Sequence, residues 1–167
     1  MAKEIERKFL MTEFPDALVR EGELVLIKEQ RIEQTYLAMD DTQELRVRKI
    51  KDLASGEHEF THTFKRGNGL VREEIEYSIS ESLYEQLIRA SGAIPLTKIR
   101  TTADWSGTTV EIDTYDQVEL RVLEVEFESE EEAESFRAPD WFGPDISSTK
   151  QYSNKTVWRN LQAGLAK

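Results

Sequence analysis

Cysteine is absent from the 167-residue chain, which excludes disulfides, a thiolate nucleophile and thiolate-bound zinc or iron-sulfur clusters. Histidine is almost absent: His58 and His62 are the only two. Their spacing would suit zinc on a helix, but the surrounding residues alternate as a strand, and no Ser-His-Asp arrangement is discernible. Long apolar runs are missing as well. No stretch approaches the ~20 residues of a membrane span, and the opening Met1-Ala2-Lys3-Glu4 lacks the apolar core of a signal peptide. The four prolines are dispersed, and neither an internal repeat nor a Pro/Gly-rich linker divides the chain. The expectation is one soluble, cytoplasmic domain over residues 1–167, large enough to bury roughly 70% of its unfolded surface without staples.

An excess of basic residues is also lacking. With 33 Asp and Glu against 22 Lys and Arg, the formal net charge is -11, which argues against a phosphate-neutralising surface for duplexes. Neither a nucleic acid nor a membrane is an expected partner. Charged residues nevertheless make up 33% of the chain, against about 25% in an average domain.

Most of the sequence alternates with period two, the sign of strands with one apolar and one polar face. Candidate strands are Glu4 to Leu10, Arg31 to Met39, Glu44 to Ile50, Glu59 to Arg66, Arg72 to Ile79, Thr97 to Trp105, Thr108 to Tyr115 and Leu120 to Glu128. Asp40-Asp41-Thr42, Arg66-Gly67-Asn68-Gly69 and Ser106-Gly107 favour tight turns and hence antiparallel neighbours. Three helices interrupt the pattern. Ser80 can cap the first, which Gly92 ends; Ser129 with Glu130, Glu131 and Glu132 starts a second, which Pro139 stops; the third runs from about Ser153 to Ala163, with Trp158, Leu161 and Leu165 at apolar-stripe spacing.

The polar faces carry paired charges. Successive strands present Glu4, Glu6 and Lys8; Arg46 and Arg48; Thr61, Thr63 and Lys65; Glu74 and Glu76; Lys98 and Arg100; Glu111 and Asp113; and Glu124 and Glu126. Like charges two apart on a strand face lie only about 7 Å apart. A wet sheet with cross-strand ion pairs accounts for any one pair. Whole strands of one sign suit a ligand carrying both cations and anions. Closing the sheet with these faces inward gives a charged lumen that must be wet and filled. Metal-bound polyphosphate fits, since carboxylates take Mg²⁺ or Mn²⁺ while Arg and Lys take phosphate oxygens.

The opening Glu4-Ile5-Glu6-Arg7-Lys8 resembles the Glu-x-Glu-x-Lys signature of the CYTH superfamily, the triphosphate tunnel metalloenzymes. The later motifs follow in that family's order: Arg46-x-Arg48, Lys65, Glu74-x-Glu76, Lys98-x-Arg100, Glu111-x-Asp113, Glu124-x-Glu126 and Lys150. The resemblance covers essentially the whole chain and is nearest to the short bacterial, inorganic-triphosphatase-like members. It implies an α+β fold: an eight-stranded antiparallel closed β-barrel with a charged lumen and helices packed outside. It also implies a divalent-metal-dependent triphosphatase, with inorganic triphosphate as the expected small-molecule substrate. A class IV adenylate cyclase is the alternative on the same scaffold, and a non-catalytic polyphosphate- or nucleotide-binding module is another.

Under this resemblance Arg46, Arg48, Lys65, Lys98, Arg100 and Lys150 hold the triphosphate, and Glu4, Glu6, Glu124 and Glu126 hold the metal, expected as two Mg²⁺ or Mn²⁺ ions. Glu111 and Asp113 complete a second metal site or orient the attacking water. Glu74 and Glu76 either join them or hold basic side chains in place. Lys8 is expected to meet the terminal phosphate and, as in short bacterial relatives, to pair with a tyrosine and close the tunnel. Tyr36 is the best counterpart; its alternative is simple packing at a strand end. Lys155 reads as a solvated helix position, and a homodimer is compatible with the resemblance.

Overall fold

The computed structural model describes residues 2–164. Eight antiparallel strands form it: β1 (Ala2–Leu10), β2 (Leu24–Met39), β3 (Gln43–Asp52), β4 (His58–Arg66), β5 (Val71–Ser78), β6 (Leu96–Trp105), β7 (Thr108–Tyr115) and β8 (Arg121–Glu126). They close into a barrel in the order β1-β5-β4-β3-β2-β6-β7-β8. Closure follows from β1, which pairs with β5 through its first half (Glu4 opposite Arg72) and with β8 through its second (Lys8 opposite Glu124). The eight expected strands are all present. The largest difference in bounds is β2, which starts at Leu24 rather than Arg31. Its first turn of sequence, Leu24 to Ile27, does not alternate, and a register shift between Leu26 and Lys28 interrupts the pairing with β6, so the period-two signal is lost there.

Local chemistry sets the connections. Ser106 (φ 49) and Gly107 (φ 88) make the β6-β7 turn with two positive-φ residues, the geometry that matches strand twist. Among the described residues four α-helices lie outside the barrel: α1 (Asp16–Arg20), α2 (Glu81–Ser91), α3 (Glu130–Ser135) and α4 (Asn154–Gln162). The three expected helices are α2, α3 and α4, with α3 ending at Ser135 before Pro139 is reached; α1, five residues between Pro15 and Glu21, is too short to show a helical stripe in the sequence. Ser80, Ser129 and Ser153 accept hydrogen bonds from Leu83, Glu132 and Thr156 backbone N–H groups and so cap α2, α3 and α4. Leu165, expected on the α4 stripe, lies outside the described residues. No helix among the described residues is long and apolar enough to cross a membrane.

Because the lumen is charged, the apolar core sits outside the barrel. Phe9, Leu24, Ala103, Val110, Ile112, Leu123 and Val125 turn outward and are covered by Phe142, α1 and the aromatic Phe136 and Trp141. Fully burying each large side chain stabilises by about 1.5–3 kcal/mol. A second cluster (Leu96, Tyr115, Val122, Ile146, Val157) seats α4 against one end of the barrel. Residues 139–149 form a strap over β1. It lies so close that a Cβ on Gly143 would fall 1.7 Å from the Leu10 carbonyl oxygen, so only glycine fits there.

Candidate active site

Strand alternation sends the charged faces inward, and the closing order sorts them by sign. β7, β8, β1 and β5 are neighbours and carry Glu111, Asp113, Glu124, Glu126, Glu4, Glu6, Glu74 and Glu76. The other four, β4, β3, β2 and β6, carry Lys65, Arg46, Arg48, Lys98 and Arg100. The barrel therefore has one acidic and one basic wall, although the two signs are interleaved along the sequence. Lys8 and Arg72 are cations on the acidic side, and Glu44 is a carboxylate on the basic side.

These walls enclose a cavity of about 550 Å³, lined among others by Glu4, Glu6, Lys8, Tyr36, Arg46 and Arg48, with Lys65, Glu74, Glu76, Arg100, Glu111, Glu124, Glu126 and Lys150. Most of the expected site residues are thus brought together. Lys98 and Asp113 are not on its surface. Both are completely buried and pair with each other at 2.8 Å, while Asp113 also accepts from Arg100 Nε at 2.8 Å and Nη2 at 2.9 Å. Their position supports Arg100 from behind. No hydrogen bond joins Lys8 to Tyr36 among the described residues: Lys8 Nζ donates to the Tyr152 carbonyl at 3.0 Å, and Tyr36 packs edge-on to Trp158, centroids 5.5 Å apart. Lys155 donates to the Asp40 carbonyl at 3.0 Å. His62 packs on Tyr77 and, among the described residues, shares no metal-binding cluster.

Two lumen residues escaped the sequence reading. Arg72 forms an ion pair with Glu44 from across β4. The signal was available, since Arg72 has the parity of Glu74 and Glu44 that of Arg46.

The electrostatics are unbalanced without a ligand. Arg46 and Arg48 are buried, and among the described residues their Nε atoms lack partners and Arg46 has no ion pair. Burial, then Arg46 and Arg100, lowers Arg48 to about 10. On the acidic wall, burial and then the Glu124 and Glu4 charges push Glu6 well above the usual carboxylate range. Burial and a hydrogen bond to Glu4 raise Glu74 to about 7. Glu4 goes the other way, to about 2: burial opposes its charge, but Lys65, donating at 2.9 Å to both oxygens, outweighs it.

A pH dependence follows. Glu6, Glu74, Glu111 and Glu126 are raised above 4.5, so the unfolded chain releases their protons first and stability falls as pH rises from about 4.5 to 7. Glu4 is depressed, so its contribution is complete above about 4.5 and constant in that window. In metal-free buffer the melting temperature should be lower at pH 7.5 than at pH 5. An equal or higher value at pH 7.5 would show that these carboxylates are not strained.

The CYTH domain model matches residues 2–152. The chain belongs to the CYTH family. Among its relatives, this CYTH protein is 35% identical over 158 residues to an inorganic triphosphatase of Nitrosomonas europaea, covering 92% of this chain and 95% of that one. It is 27% identical over 161 residues to an inorganic triphosphatase of Acetivibrio thermocellus, covering 96% of each. The solved structure of the inorganic triphosphatase NE1496 matches with a TM-score of 0.61 at 32% identity, over 94% of this chain and 95% of that one.

Proposed function

We propose that this CYTH protein, acting as a single domain, hydrolyses inorganic triphosphate with the help of a divalent metal. The carrying observation is the sorting of charge onto two walls around buried Arg46 and Arg48, whose guanidinium groups have unpaired N–H donors. An anion with several oxygens satisfies those donors, and simple anion capture would gain nothing from the acidic wall. The names of the relatives support the same reading.

The acidic wall fits a hard cation by its donor chemistry: Glu4, Glu6, Glu124, Glu126 and Glu111 offer only carboxylate oxygen, and the mutual repulsion that raises Glu6 is relieved by positive charge. Among the described residues no three of them stand as a preformed cluster, and Glu4 is held by Lys65. When bound, Mg²⁺ or Mn²⁺, read here as two ions, would neutralise phosphate charge and lower the pKa of the attacking water. The chain's own residues do the positioning. Arg46, Arg48, Lys65, Arg100 and Lys150 hold phosphate oxygens. Lys98 and Asp113 fix Arg100, Glu74 and Glu76 brace Lys65 and Arg48, and Lys8 faces the terminal phosphate. Tyr36 borders the same space.

The test is metal-dependent phosphate release from triphosphate, ATP, thiamine triphosphate and pyrophosphate, with cyclic AMP measured alongside. Triphosphate should be turned over with the highest kcat/KM. Cyclic AMP as the main product from ATP would replace this reading with the cyclase.

A further inference from the structure

Arg7, between the lumen residues Glu6 and Lys8, points outward, and the charged lumen does not explain it. Its Nε and Nη2 donate to Asp145 Oδ2 at 3.1 and 2.8 Å. Its Nη1 donates to the carbonyls of Ala133 and Phe136 at 3.1 and 2.7 Å. One guanidinium thus joins β1, the end of α3 and the strap.

The far side of Asp145 leads back to the lumen. Its Oδ1 accepts from Ser147 N at 2.8 Å. Ser147 Oγ accepts from Lys8 N at 2.9 Å, and Ile146 N donates to Lys8 O at 2.8 Å. Both main-chain groups of Lys8 are therefore held by the segment that Arg7 clamps, and Ser147, Ser148, Thr149 and Lys150 line the cavity.

We propose that Arg7 and Asp145 are positioning residues: from outside the barrel they lock residues 145–150 onto β1 and so fix the frame from which Lys8 faces the substrate. This rests on the role given to Lys8 above. Misplacing a group by about 1 Å can cost about a hundredfold in rate.

The experiment compares Arg7→Gln, Asp145→Asn, Lys8→Met and the Arg7→Gln/Lys8→Met double variant, by kcat/KM on triphosphate, urea midpoint and amide exchange of residues 145–150. Arg7→Gln and Asp145→Asn should each lower kcat/KM about tenfold or more, speed exchange in that segment and leave the midpoint nearly unchanged, whereas Arg7→Gln should cost less than about twofold once Lys8 is replaced. An equal loss in both backgrounds, or a loss that merely tracks the midpoint, overturns the inference. If Lys8→Met is inactive while Arg7→Gln is near wild type, this inference alone fails. If Lys8→Met is fully active, the role of Lys8 fails with it.

Discussion

Glu6→Gln should lower metal-dependent turnover by about a thousandfold or more and, with metal withheld, raise the melting temperature. The two effects share one cause. Burial and the neighbouring charges of Glu124 and Glu4 make the Glu6 carboxylate unfavourable in the free protein, so an isosteric neutral amide relieves it. The same substitution removes a hard-oxygen ligand charge, and metal contributes several kcal/mol to the transition state, each 1.4 kcal/mol being about tenfold. Kinetics at saturating Mg²⁺ and melting in chelator check both halves. Near-normal turnover with a lowered melting temperature would make Glu6 structural.

Asp113→Ala should have the largest effect on stability. The carboxylate is completely buried and serves Lys98 at 2.8 Å and Arg100 at 2.8 Å. Burial opposes its charge, but Arg100 and Lys98 hold its pKa far below 3.8. A depressed carboxyl contributes stability that is present above its unfolded pKa and lost only as pH falls toward the folded value. Removing it strands Lys98, already lowered to about 8 by burial. Breaking a buried pair costs about 3–5 kcal/mol, and at about 2–4 °C per kcal/mol the melting temperature should fall by roughly ten degrees. Arg48→Ala, which removes one of several mutually repelling cations, should cost far less. Equal losses in the two variants would contradict this account of the lumen.

The strands and their inward faces were legible because Glu111-x-Asp113 or Arg46-x-Arg48 states both period and polarity in three residues. The order of strands was not, since nothing in β1 says that β5 lies beside it; the segregation of charge into two walls emerges only on closure. Burial of Lys98 and Asp113 was equally hidden, because it depends on neighbours such as Tyr115 and α4. Glu44 and Arg72 could have been found by parity. Arg7 could not, since an outward arginine reads as solvated until the strap is seen to cover it.

Thermal melting with Ca²⁺, with triphosphate and with both tests the composite site most directly, Ca²⁺ serving to keep the substrate intact. A ligand at 100 times its dissociation constant adds about 2.7 kcal/mol. Each component neutralises the wall opposite the other, so the shift with both should exceed the sum of the separate shifts. A merely additive shift would mean two independent sites and would contradict a shared metal-triphosphate tunnel.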